Sequence, residues 1–257
     1  MVEGTCHLCL QVGLLSYEHV PPEAAFNGQK IVQANMDLWL REGPAWNGRR
    51  GKQLQRGSGA HTLCVACNSV RCSPYAKEYV ALARRAFEFL DLVPEGAPPF
   101  LATFSQIRPL RFLKQALAMF LSVNPLQFAE THRELRHFVL NKEARHLPNR
   151  YEVYLTLVRR GLARHSGLSA GIDVATGKAE LVTEVAHVPF ALALTVDSPR
   201  VDDLGRISHF GESRYDDRRD VHVRLLVGEV NTPYPGDFRR RAELEAILDE
   251  VTSPRRS

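Results

Sequence analysis

The residues most able to do chemistry lie near the start of the chain, in two cysteine pairs and what stands beside them. The first pair is Cys6-His7-Leu8-Cys9, followed closely by Ser16-Tyr17-Glu18-His19-Val20-Pro21-Pro22. The second is Cys64-Val65-Ala66-Cys67, with Asn68 directly after it. A Cys-x-x-Cys turn presents two sulfurs from one stretch of backbone. Cys6, Cys9, Cys64 and Cys67 together supply the four thiolates of a closed, tetrahedral, structural zinc site. Such a zinc would pin the chain on either side of Glu18-His19 and bring Asn68 to the mouth of the second knuckle. A carboxylate and a carboxamide suit a hard divalent cation such as Mg2+ or Mn2+, and an imidazole with a pKa of about 6.5 is a natural general base. Base, cation and order between them are what phosphodiester hydrolysis requires.

The charge pattern agrees with a polyanionic substrate. The formal net charge is only +4, but it is unevenly spread. No Asp or Glu occurs from Gly43 to Lys77, whereas Arg49, Arg50, Lys52, Arg56, Arg71 and Lys77 are all basic. Arg49, Arg50, Lys52 and Arg56 are the candidate contacts to nucleic-acid phosphates. His7 is expected to be exposed, and Cys72, the cysteine left over, to be a small packed residue. Met1 to Cys6 shows neither the basic nor the apolar region of a signal peptide, and no apolar run is long enough to span a bilayer. A cytoplasmic location without membrane association is therefore expected, where paired cysteines favour metal over disulfides.

These residues need elements to hold them. Leu14 to Val20 reads as a strand ended by Pro21-Pro22, Ile31 to Leu40 as a short helix, and Asn47 to Gly59 as a loop. Ser73 is the expected N-cap of a helix running through Leu92, with Pro74 in its first turn. Pro94-Glu95-Gly96-Ala97-Pro98-Pro99 marks a boundary, dividing the chain into an N-terminal domain, residues 1–93, and a second domain, residues 100–257. Helices are expected over Ser105–Val123, whose Arg108, Arg111 and Lys114 share one face, and over Glu130–Lys142. From Tyr151 the pattern alternates. Strands are expected at Tyr151–Leu157, in a hairpin turning at Thr176-Gly177, at Ala191–Val196 and at Val221–Val230, before a closing helix at Asp237–Val251. The fold class is α+β with a mainly antiparallel sheet. The second domain carries no catalytic motif and is assigned to substrate, to a protein partner, or to self-association as a homo-oligomer.

The pattern Cys-x-x-Cys, Ser-x-Glu-His-Val-Pro-Pro, Thr-Leu-Cys-x-x-Cys-Asn resembles the zinc-containing branch of the HNH endonucleases over about residues 5–80. The resemblance implies a zinc-stapled ββα-metal domain of treble-clef type. It makes His19 the general base, Glu18 a ligand of a catalytic Mg2+ or Mn2+, and Asn68 the second ligand. DNA ranks ahead of RNA as substrate, and the setting implied is phage defence or a mobile element. Two positions depart from the pattern. Gly59 stands where the family commonly has an asparagine that braces the loop and the base, with His61 the candidate substitute. The insertion before the second knuckle is also longer than usual. Gly59 thus keeps open a rival reading, a non-catalytic zinc module that grips nucleic acid through the Arg49–Arg56 loop.

Overall fold

The computed structural model describes residues 2–34, 51–172, 179–198 and 204–252 of the 257-residue chain. Strands β1 (Val2–Thr5) and β2 (Val12–His19) pair antiparallel around the first knuckle. A ribbon of β3 (Ile31–Gln33) and β4 (Lys52–Leu54) then leads to β5 (Gly59–Cys64), which pairs antiparallel with β2. The expected helix at Ile31–Leu40 is therefore strand at its start, and its remainder lies outside the described residues. The expected loop is interrupted by β4. Beyond β5 come a π-helical turn, Ala66–Arg71, and helix α1, Ser73–Leu90. Pro74 lies in the first turn of α1, as expected, but Cys72 rather than Ser73 occupies the capping position. Tyr75, Tyr79, Leu82, Ala83, Ala86 and Leu90 recur at helical spacing and are all buried.

The boundary at Pro94–Pro99 separates α1 from β6 (Phe100–Ile107), and one hydrophobic core runs across it from Cys6 to Leu225. That core is built round α2, Pro109–Val123, in which every residue from Pro109 to Ser122 except Arg111 is buried. A helix apolar on nearly all sides must be covered on all sides. Tyr79 of α1 stacks on its Phe112 with ring centroids 5.4 Å apart, and Phe190 meets Phe112 edge-on at 5.7 Å. The helix begins at Pro109, four residues later than expected, because the alternating residues before it pair as β6 with a later strand. Asn124, forced to extended backbone by Pro125, ends it.

Residues 126–140 form two helices rather than one, α3 (Leu126–Thr131) and α4 (Arg133–Leu140). The antiparallel sheet expected after Tyr151 is present. It contains β7 (Tyr151–Gly161), β8 (Arg164–Ile172), β9 (Ala179–His187) and β10 (Phe190–Val196). The expected hairpin pairs Ile172 with Ala179, its turn lying outside the described residues. The single strand expected over Val221–Val230 is two, β11 (Arg219–Leu225) and β12 (Val227–Val230). β11 leaves the main sheet to pair with β6, and β12 joins β7 in parallel, giving the order β12-β7-β10-β9-β8 with β8 at an edge. Helix α5 closes the described chain at Arg241–Thr252.

The face expected to carry Arg108, Arg111 and Lys114 is not an open basic surface. Arg108 pairs with Glu78 at 3.4 Å, and Arg111 pairs with Asp216 and lies over the Tyr215 ring. Lys114 is fully buried, its Nζ donating to the carbonyls of Phe138, Asn141 (2.9 Å) and Ala144 (3.1 Å), so it closes the C-terminal end of α4. Lys114→Ala should lower unfolding free energy by roughly 3 kcal/mol or more, because it leaves a cavity and strips the donor from the buried Phe138 carbonyl and from the part-buried carbonyls of Asn141 and Ala144. Lys114→Met, which restores volume without donors, should recover part of that in denaturant titrations. A Lys114→Met protein more stable than wild type would show that burying the ammonium outweighs its three bonds.

Candidate functional site

The four cysteines form the first component. Cys6 and Cys9 lie in the turn after β1, Cys64 ends β5, and Cys67 sits in the π-helical turn. Their sulfurs all fall within 4.8 Å of one another, close enough to hold one metal ion. Cys9 Sγ and Cys64 Sγ are 3.8 Å apart, too far for a disulfide. That spacing matches the edge of a tetrahedron with metal–sulfur bonds of about 2.3 Å. The thiols also disturb one another. A hydrogen bond from Cys67 pulls the Cys6 thiol down, while Cys67 is pushed up by the same bond, by burial and by the charge on Cys6. One thiolate thus opposes the next, and a divalent cation removes that opposition. The donor set fits structural zinc. Leu10, at φ +59°, turns the first knuckle, and His7 is half-buried with Nδ1 3.0 Å from the Leu121 carbonyl, rather than exposed.

The second component is the end of the β2–β5 ladder. Asn68 Nδ2 donates to Ser16 Oγ (3.0 Å) and the Tyr17 carbonyl (3.2 Å), fastening the π-helical turn to β2. The register of β2 and β5 shifts between Ser16 and Tyr17, leaving Thr62 as an extra residue. A bulged pair twists more strongly, and here Leu15 and Glu18, three positions apart, are both buried. Glu18 is 4% exposed, and its Oε2 accepts from Ser122 Oγ of α2 (2.6 Å) and Thr62 Oγ1 (3.3 Å). Burial pushes this carboxyl up to about 7, against the two hydroxyls that pull it down.

His19 belongs to the opposite face. Its ring meets Tyr17 edge-on at 5.0 Å, and Tyr17 meets His61 edge-on at 5.4 Å. The side chain is 14% exposed, and its Nε2 is buried without a hydrogen-bond partner among the described residues, 3.9 Å from the Glu23 carboxylate. The structure thus brings His19 together with Tyr17 and His61, and sets Glu18 apart with Ser122 and Thr62.

The brace that the sequence reading sought at Gly59 or His61 is supplied by Asn27. Buried, it donates to the carbonyls of Pro21 (2.6 Å) and Ser58 (2.8 Å) and accepts from the Ser58 amide (2.8 Å). Val20 N and Tyr17 Oη close the same corner on the carbonyls of Ser58 (2.9 Å) and Gly57 (3.1 Å). Gly59 pairs with His19, and a Cβ there would lie 2.1 Å from the Glu18 carbonyl oxygen, so an asparagine could not stand at this position. Gly57, at φ +77°, is held equally close to the Asn27 backbone. The signal that could have found Asn27 was its place between Pro21-Pro22 and a Gly-Ser-Gly corner. Of the candidate phosphate contacts, Lys52 is exposed on β4 and Arg56 is exposed beside Glu23 at 3.3 Å, while Arg49 and Arg50 lie outside the described residues.

Comparison with family models, with curated proteins and with solved structures finds no match.

Two measurements test this description. Wild-type protein should carry one zinc per chain by elemental analysis, and Cys64→Ser should lose it and melt well below Cys72→Ser, whose thiol is buried outside the cluster. The second concerns Glu18. The folded chain holds its proton to higher pH than the unfolded chain, so stability from this group is full below about 4.5 and is lost as pH rises toward about 7. Glu18→Gln removes that dependence and should exceed wild type by roughly 2–3 kcal/mol above pH 8 while matching it near pH 4.5. Parallel pH–stability curves for the two proteins would refute the buried setting of Glu18.

Proposed function

We propose that this protein is a metal-dependent endonuclease of the HNH type, acting on nucleic acid and on DNA ahead of RNA. The observation that carries the reading is His19. At the end of a strand in a ββα unit held near four clustered thiols, it keeps a buried imidazole nitrogen with no hydrogen-bond partner among the described residues. In this reading His19 would take the proton of a water attacking phosphorus, and the resulting imidazolium would lie beside the Glu23 carboxylate. Asn68 holds the helix against β2 in support.

By type, Glu18 and Asn68 offer donors that suit a hard cation. Glu18 Oε1 and Asn68 Oδ1 show no hydrogen bond among the described residues, so each keeps an oxygen lone pair. In this role Glu18 and Asn68 would hold Mg2+ or Mn2+, which would supply charge stabilisation at the leaving oxygen. Lys52 and Arg56, with Arg49 and Arg50, would contact the phosphate backbone. Residues 100–257 would engage substrate, a protein partner or a second copy of the chain. Phage defence or a mobile element is the proposed setting, and the cytoplasm the proposed location. Among the described residues no helix is long and apolar enough to cross a membrane.

One observation favours the rival reading, a non-catalytic zinc-stapled module that binds nucleic acid. The Glu18 carboxyl is buried against Ser122 and Thr62, on the other face from His19. Plasmid cleavage with Mg2+ or Mn2+ separates the two. His19→Ala should reduce the cleavage rate by about 10²–10⁴-fold with zinc content and DNA affinity unchanged. A wild-type protein that binds DNA and cuts nothing with either metal would leave the binding module as the function.

A further inference from the structure

The corner opposite His19 is held from two directions. From the N-terminal side, Asn27, Val20 and Tyr17 grip the backbone of Gly57 and Ser58. Among the described residues none of them hydrogen-bonds the Ser58 hydroxyl. That group points to the C-terminal sheet, where Ser58 Oγ lies 3.1 Å from Nδ1 of His165 on the edge strand β8. Ser58 is itself buried, and Gly59, its neighbour, is the register partner of His19. The other ring nitrogen of His165, Nε2, is buried and without a hydrogen-bond partner among the described residues, as is Nε2 of His19. Burial and the nearby His187 lower the His165 pKa to about 4, so the ring meets Ser58 as a neutral imidazole with one donor and one acceptor nitrogen. β8 is kept in place on this side by Asn124, whose Oδ1 accepts from the Leu168 amide at 2.6 Å and whose Nδ2 reaches Thr183 of β9 at 3.0 Å.

We propose that His165 is a positioning residue for His19, acting through the Ser58 hydroxyl to set the corner against which the base stands, so that the C-terminal sheet completes the site. This rests on the nuclease reading of His19. A neutral imidazole against a hydroxyl inside a closed contact contributes little net binding energy but fixes direction. Direction is what a general base needs, since a misplacement of about 1 Å can cost on the order of 100-fold in rate. It also gives residues far along the chain a part in the chemistry without their carrying a catalytic group.

The test uses the full-length protein, with plasmid DNA and Mn2+ as probes. His165→Ala should lower kcat by about tenfold or more, with KM and DNA affinity within about twofold of wild type. His165→Asn, whose amide reaches the place of Nδ1, should recover most of the rate. His165→Gln, whose amide reaches the place of Nε2, should not. Ser58→Ala should lose as much as His165→Ala, and the double variant no more than either. Cleavage by His165→Ala at the wild-type rate, or equal rates for the Asn and Gln variants, would overturn the proposal. Failure of wild type to cut would remove the nuclease reading alone. Hydrogen exchange at the Val20 and Ser58 amides, both within the corner, then decides the role of His165. Faster exchange in His165→Ala supports it and unchanged exchange overturns it.

Discussion

The last turn of α2 is the constraint on which the rest of the molecule depends. Its apolar surface requires cover on every side, and meeting that requirement brings α1, α4, the five-stranded sheet and the cysteine knuckles around one helix. Within that turn, the Leu121 carbonyl meets His7 of the first knuckle, Ser122 meets Glu18, and Asn124 just beyond meets β8 and β9. Three parts of the chain far apart in sequence are thereby registered against one rigid element. A shift of that turn would disturb the thiol cluster, the acid and the sheet edge together.

The four-sulfur cluster acts on a smaller scale and by electrostatics. Without a cation, each thiolate formed at Cys6 raises the difficulty of forming the next at Cys67. With a divalent cation the same crowding becomes attraction, and the two knuckles close into a single unit. The short β1-β2-β5 sheet buries Leu15 and Leu63 in the main core. Its stiffness comes from the cluster at one end and the Asn27–Ser58 corner at the other. His19 stands at the corner end, paired with Gly59.

The thiol set was legible because its residues are local in sequence. Each cysteine pair is one turn of chain, so spacing alone conveyed the four-sulfur cluster, whereas Glu18 and His19, adjacent in sequence, face opposite ways in the fold. The partners of those residues were not legible. Asn27 braces Ser58 across 31 positions, Ser122 reaches Glu18 across 104, and His165 reaches Ser58 across 107. None of these is marked by composition, since asparagine, serine and histidine occur wherever a chain is polar. The basic face expected on α2 shows the same limit. Helical spacing put Arg108, Arg111 and Lys114 on one side, yet only the packed fold revealed Glu78, Asp216 and the end of α4 waiting there.

By itself the sequence determined the α+β class, the thiol set, the strand that carries Glu18 and His19, and the alternating strands after Tyr151, because each follows from short-range periodicity or from the chemistry of neighbouring residues. The tertiary structure decided which way those side chains face. A one-residue bulge at Thr62 twists the ladder end, leaving Glu18 in the core against α2 and His19 on the opposite face beside Tyr17. The same long-range packing sent β11 to β6 and β12 to β7, where alternation alone read one strand. Side-chain period is a local property of backbone geometry, whereas burial depends on what the rest of the chain brings alongside.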